Sequence, residues 1–268
     1  MNSIQTWVSL VSEVWGVSSF DRCLRALDLD CDLIRLGSEY GGWVVNASRL
    51  RSGLVISAGV GEDVSFEIEV LRRDVVDVLA IDPTPRAKIH LCNVAANLGS
   101  HKTLPYGDGG RRSINEYDLA EINRERFFFC DAAIAGQTGS VKLYFPKNTD
   151  HVSMSCMHNS TSSSEYLVVP SLTVGNLMSL KKIDEVCLLK LDVEGAEIET
   201  LSRMLDDHIF PTQICVEFDA IRFSAEVSKR KVFLILSRLK KTGYEMRWVD
   251  SSFNCLLERT TQDALCAA

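Results

Sequence analysis

Five polar residues close short apolar runs: Ser57, Asp82, Asp131, Asp192 and Glu217. If each run is a strand of one sheet, these side chains gather along one sheet edge, where ligands of α/β proteins bind. Gly59-Val60-Gly61 follows the first run, and glycines there let the backbone approach a ligand closely. Asp82 ends the next run, where a carboxylate can accept hydrogen bonds from both hydroxyls of a ribose. Together they point to a nucleoside-bearing cofactor, either a nicotinamide dinucleotide or S-adenosylmethionine. The third glycine of G-x-G-x-x-G falls on Val64, and the last of G-x-G-x-G falls on Asp63. An acidic residue beside the turn opposes a pyrophosphate at a helix N-terminus. It suits a ligand with an ammonium and a sulfonium, so the methyl donor is favoured.

These residues need elements to position them. Ile4, Trp7, Val8, Val11 and Trp15 share a helical face over residues 3–15, and Phe20, Leu24, Leu27, Cys31 and Ile34 predict a second helix over 19–35. Gly37 and Gly41-Gly42 break that pattern, which sets off residues 1–36 as a helical extension and 37–268 as the main domain. From residue 54 strands and helices alternate. The strands are 54–58, 78–81, 127–130, 186–191, 214–216, 244–246 and 254–257, with a hairpin arm at 141–145. Thr84-Pro85 offers an N-cap and a first-turn proline. Alternation of this kind predicts a mostly parallel sheet with helices on both faces. Residues 147–165 are polar and Ser-rich without periodicity, and a loop of that length in a compact domain is usually functional or disordered.

The chain carries a net charge of −7, and no Lys/Arg run exceeds three residues, which argues against a nucleic-acid footprint. Nine cysteines form no C-x-x-C pair, which argues against a zinc site, and Cys92, Cys130, Cys187 and Cys215 each sit in an apolar run, so these four read as small buried residues in a reducing compartment. Residues 1–4 lack the basic start of a signal peptide, and no apolar stretch approaches the roughly 20 residues of a membrane span. The expectation is a cytoplasmic protein that acts on neither nucleic acid nor membrane.

Lys190-Leu191-Asp192-Val193-Glu194-Gly195-Ala196-Glu197 resembles the K-[IL]-D-[VI]-E-G-A-E junction of the FkbM methyltransferases. The resemblance extends to Leu36-Gly37-Ser38-Glu39-Tyr40-Gly41-Gly42-Trp43, to Ser57 through Phe66, to Ile81 through Pro85, to His151-Val152-Ser153 and to Phe253-Asn254-Cys255. It implies a Rossmann-like class I methyltransferase fold with a seven-stranded sheet, and makes 37–268 the methyltransferase domain. It implies S-adenosyl-L-methionine as donor and O-methylation of a polyketide-, sugar- or other natural-product-like small molecule. The donor residues it implies are Gly42, Trp43, Ser57, Gly59, Gly61, Asp63, Asp82, Pro83 and Asp192, with Asp131 and Ala132 at the adenine. Ser57 stands where many class I enzymes have an acid.

An alkyl alcohol needs a positioned base. Asp192 leads by position, with Glu194, His151 and His158 as further candidates; the alternative role for Asp192 is to cap the next helix. Glu194 and Glu197 could instead complement the helix dipole. Glu217 could touch substrate or simply end its strand. A divalent ion between Asp192, Glu194 and Glu217 is conceivable chemistry, but no spacing enforces it and no metal is assigned. Two rival readings are a nicotinamide oxidoreductase and a binding module that kept the fold and lost the chemistry. The 147–165 segment, carrying His151, is expected to lie over the donor edge as a substrate-side lid.

Overall fold

Val55, Ile56, Leu79, Ile81, Leu188 and Leu189 belong to apolar runs buried on both faces, the pattern of a sheet covered by helices on each side. The computed structural model describes residues 3–73, 76–148, 153–158, 161–222 and 226–260. In chain order the elements are α1 (Ser3–Trp15), α2 (Val17–Leu24), α3 (Ala26–Leu29), β1 (Leu33–Leu36), β2 (Trp43–Asn46), β3 (Leu54–Ala58), α4 (Ser65–Leu71), β4 (Asp77–Ile81), α5 (Pro85–Ala96), β5 (Phe127–Cys130), β6 (Ala133–Ile134), β7 (Gly139–Pro146), β8 (Ser162–Leu172), α6 (Val174–Lys181), β9 (Val186–Leu191), α7 (Glu197–Asp206), β10 (Gln213–Glu217), α8 (Glu226–Lys241), β11 (Tyr244–Val249) and β12 (Asn254–Arg259).

Seven strands make one sheet in the order β11-β12-β10-β9-β3-β4-β5. All run parallel except β12, which is antiparallel to both its neighbours. This is the Rossmann-like α/β sheet expected. The chain moves outward from β3 to β5 on one side and from β9 to β10 on the other, so strand order reverses between β3 and β9. Ligands bind beyond the carboxyl ends of strands at such a reversal.

Each face of the sheet has its own core. One joins α1, α2, α6, α7 and α8, and the other joins α4, α5 and the β1–β2 hairpin. Trp7 of α1 is fully buried against Phe218 (ring centroids 5.8 Å) and Phe253 (6.3 Å), and its Nε1 donates to the Asp250 carbonyl at 3.2 Å. The N-terminal helix therefore braces the chain where it leaves β10 and enters β12.

Two expectations need correction. The helix over 19–35 is instead α2 and α3, ending at Leu29, and Ile34 lies in β1. The side chain of Asp30 accepts the Asp32 amide, a local turn that competes with a further helical turn. The apolar stripe was misleading too: Leu24 and Leu27 are exposed, while Phe20, Cys23 and Ala26 are buried. The loop over 147–165 ends early, since β8 begins at Ser162. Pairing with β7, in a three-stranded sheet ordered β6-β8-β7, overrides the weak strand preference of Ser162, Ser163 and Ser164.

Candidate functional site

A cavity of about 1110 Å³ opens at the carboxyl ends of β3, β4, β5, β9 and β10. Its floor is the turn after β3. Gly59 has φ +77°, and a Cβ there would lie 1.7 Å from the Asp192 carbonyl, so only glycine lets the turn close against the end of β9. The Asp192 amide donates to the Ala58 carbonyl at 3.1 Å and completes that seam. Gly61 also has positive φ, +56°. Asp82 shapes the same turn from β4: its Oδ2 accepts the Gly61 amide (2.9 Å), and its Oδ1 accepts the amide and hydroxyl of Thr84 (2.8 and 2.6 Å). Burial raises the proton affinity of Asp82, and these hydrogen bonds and Lys190 work against the rise.

Gly42, Trp43, Gly59, Gly61, Asp63, Asp82, Pro83, Ala132, Asp192 and Glu194 all line the cavity. Asp63 is heavily engaged. It accepts from Ser38 Oγ (2.6 Å), the Ser65 amide (3.0 Å) and Arg112 Nε (2.8 Å). Burial opposes its charge, but those donors outweigh it and hold its carboxyl below the usual range. Its work is to tie the turn to the 107–117 loop.

Three anticipated residues, Ser57, Asp131 and His158, are not brought to the cavity. Ser57 is fully buried and donates to Glu67 Oε1 at 2.5 Å. Asp131 is exposed and paired with Lys88 at 2.5 Å, while the neighbouring Ala132 lines the wall. His151 lies outside the described residues. His158 is exposed, with its ring 4.8 Å from that of Tyr144. Asp192 does not cap a helix: α7 begins at Glu197, with Ala196 at the N-cap.

Opposite the turn is a corner of carboxylates. Asp192 retains 30% of its side-chain surface and lies 3.9 Å from Lys190 Nζ. Burial pushes its pKa up, against the pull of Lys190 and Arg222. Glu194, at φ +52°, is raised by burial and by Asp192, and it is hydrogen-bonded to Asp219. Asp219 is nearly sealed, and burial together with Glu194, Glu197 and Asp192 lifts it to about 10. Glu197 is fully buried with Oε1 accepting the Gly195 amide at 2.7 Å; burial first, then Glu194 and Asp192, lifts it to about 8. Arg222 pairs with Glu217 and lies 3.2 Å from Asp219 Oδ1. Among the described residues no group of three or more His, Cys, Asp or Glu has the arrangement to hold a metal ion.

The far wall comes from the small sheet and the loop it carries. Val141, Leu143 and Pro146 of β7, with Met154, give it an apolar surface. Ser155 Oγ (2.8 Å) and the Cys156 amide (3.2 Å) both donate to the Glu194 carbonyl, so the described part of the 147–165 segment is tied directly to the motif after β9.

Lys190, Arg112, Asp219 and Arg222 also shape the site, though no motif in the sequence marks a role for them. A signal existed for Lys190, because a charge inside an apolar strand must find partners. Arg112 and Arg222 sit in irregular segments whose path brings them to the site, and no periodicity marks them.

The sequence profile described as "Methyltransferase FkbM domain" matches residues 56–246. No curated protein matches the chain significantly. Among solved structures, the fibrillarin pre-rRNA processing protein of Methanococcus jannaschii is similar with a TM-score of 0.38 and 10% identity, covering 78% of this chain and 67% of its own. A candidate S-adenosyl-L-methionine-dependent methyltransferase of Methanococcus maripaludis is similar with a TM-score of 0.36 and 11% identity, covering 97% and 94%.

Proposed function

From the premise that this chain belongs to the FkbM methyltransferase family, we propose that it transfers a methyl group from S-adenosyl-L-methionine to a hydroxyl of a small-molecule acceptor. The donor fits the residues present: a glycine turn with positive φ at Gly59 and Gly61, a buried acid at Asp82, and an Ala132 wall, around one cavity. When bound, it supplies a methyl carbon activated by a positively charged sulfur. Everything else is done by the chain. Asp82 holds a ribose hydroxyl, the 59–61 turn shapes the donor floor, and the small sheet covers the acceptor. Asp192 takes the hydroxyl proton.

The observation that carries the reading is the position of Asp192. Its backbone forms the seam with Gly59 and Ala58, while its partly exposed side chain lines the cavity beside Glu194. One residue thus touches both halves of the site. A raised proton affinity brings a carboxylate closer to the pKa that suits a general base near neutrality. Glu194 lies beside it, and burial together with the Asp192 charge raises its pKa in turn. A cytoplasmic setting is part of the proposal, supported by free thiols at Cys187 and Cys215, buried as expected, and at Cys23 and Cys255; Cys92 is instead exposed on α5 and Cys130 only half-buried. Neither nucleic acid nor membrane enters it.

The test is calorimetry with S-adenosylhomocysteine and NAD, followed by methyl transfer from labelled donor to a panel of hydroxylated small molecules. Binding of the former alone is expected, with Asp192→Asn cutting turnover at least a hundredfold and changing donor affinity by less than threefold, as for a group acting in the transition state, on the order of 10²–10⁴ for acid–base catalysis. Binding of NAD in its place, or an Asp192→Asn variant with full turnover, overturns the reading.

A further inference from the structure

Lys190 is a buried charge at the edge of the site that the proposed chemistry leaves without a task. It lies on β9, one residue from its end, with 3% of its surface exposed. A buried ammonium survives only with close partners. Its Nζ donates to the Gly59 carbonyl at 3.1 Å, lies 3.9 Å from Asp192 Oδ2, and sits 5.5 Å from the centre of the Trp43 ring. Those partners come from three elements: the turn after β3, the end of β9, and β2.

We propose that Lys190 is a positioning residue that fixes the donor turn and, with one charge, keeps the carboxylates on both sides of the methyl-transfer point ionised. The proposal rests on the methyltransferase reading above. Its basis is geometric: one ammonium bonds the carbonyl of the donor turn and faces the base. Its field also reaches Asp82 and the buried Glu67, favouring the charged form of each. The other charged or titratable groups around Asp192 are Arg222, which acts in the same direction, Glu194, Glu197 and Asp219, which oppose it, and Tyr40. A lysine that merely satisfied the Gly59 carbonyl would hold the turn but set no protonation state.

The experiment needs no acceptor. The carboxyl carbon of Asp192 is followed by NMR in protein labelled with ¹³C-aspartate, its signal identified by its loss in Asp192→Asn, and S-adenosylhomocysteine affinity is measured by calorimetry from pH 5.5 to 9. Lys190→Gln keeps a donor for Gly59 and removes the charge; Lys190→Met removes both. Loss of a nearby positive charge raises a carboxylate pKa, here by about one to three units. The Asp192 midpoint is therefore expected to rise by at least one unit in Lys190→Gln, and Lys190→Arg to stay within half a unit of wild type. Because Lys190 also favours the charged form of Asp82, the ribose-binding acid, affinity for S-adenosylhomocysteine in Lys190→Gln should fall about tenfold at pH 6 and recover by pH 9. An unchanged Asp192 midpoint in Lys190→Gln overturns the proposal, as does an affinity loss equal at every pH. If Lys190→Met fails to fold, Lys190→Gln alone decides. Failure of wild type to bind S-adenosylhomocysteine counts against the methyltransferase reading instead, and the NMR titration still reads the effect of Lys190.

Discussion

Of the residues assigned to the donor under the proposed function, Asp82 is the one whose effect can be worked out most fully. It is 5% exposed, and a carboxylate has about four acceptor sites. Thr84 fills both on Oδ1, through its amide and its hydroxyl, and the Gly61 amide fills one on Oδ2. One site remains, so the carboxylate can take one ribose hydroxyl rather than two while the turn stays as it is. Asp82→Asn removes the charge and places an amide donor against either Gly61 or Thr84. A hydrogen bond to a charged group contributes roughly 1.5–3 kcal/mol. Its loss corresponds to a rise of roughly 10- to 150-fold in the Kd for S-adenosylhomocysteine. The assay is calorimetry with S-adenosylhomocysteine and its 2′-deoxy and 3′-deoxy forms. On wild type, one deoxy form should lose a comparable factor. On Asp82→Asn, the same form should bind no worse than its parent. Unchanged affinity in the variant, or a deoxy penalty that persists in it, would refute the reasoning.

Arg112 is buried between Asp63 (2.8 Å) and Glu116 (3.2 Å), so Arg112→Met strands Asp63 and should cost about 3–5 kcal/mol in denaturant unfolding, with most of it recovered in the Arg112→Met/Asp63→Asn double variant. A loss below about 1 kcal/mol would show that the ion pair does not hold the turn. Glu197 has a folded pKa raised to about 8 from 4.5, so its contribution to stability is complete below pH 4.5 and is lost as pH climbs to about 8. Relative to Glu197→Gln, wild type should lose about 1.4 kcal/mol per pH unit across that window, on the order of 4–5 kcal/mol in all as an upper limit. Parallel unfolding profiles for the two proteins from pH 5 to 9 would mean that Glu197 does not titrate there.

The seven-stranded sheet was legible because its strands are continuous apolar runs closed by polar residues, from Ile56 at β3 to Leu257 at β12. The placement of Asp82 and Asp192 followed from the same runs, since a strand end fixes where the next side chain lies. Ser57 misled because alternation within a strand decides which face a side chain takes, and Ser57 faces Glu67 in the interior. Asp131 follows a strand end as Asp82 and Asp192 do, yet Lys88 on α5 draws it outward. Helix α2 was overextended because acids at 28, 30 and 32 interrupt a stripe that the apolar residues alone continue. The β8 strand escaped notice because its first residues are serines, whose strand conformation is set by the partner strand rather than by themselves.

Among the described residues, the β6-β8-β7 sheet shares no strand pairing with the seven-stranded sheet. The glycine turn of the cavity is thus built on one hydrogen-bonded framework and much of its far wall on another, the two joined near the site by the short passage from β5 to β6 and by the contact of Ser155 and Cys156 with Glu194. Such a division lets natural variation or laboratory recombination rewrite residues 139–172 while the donor turn keeps its geometry. Under the proposed function, a chimaera that exchanges this segment with a relative, retaining a serine at 155, is expected to change acceptor preference while S-adenosylhomocysteine affinity stays the same.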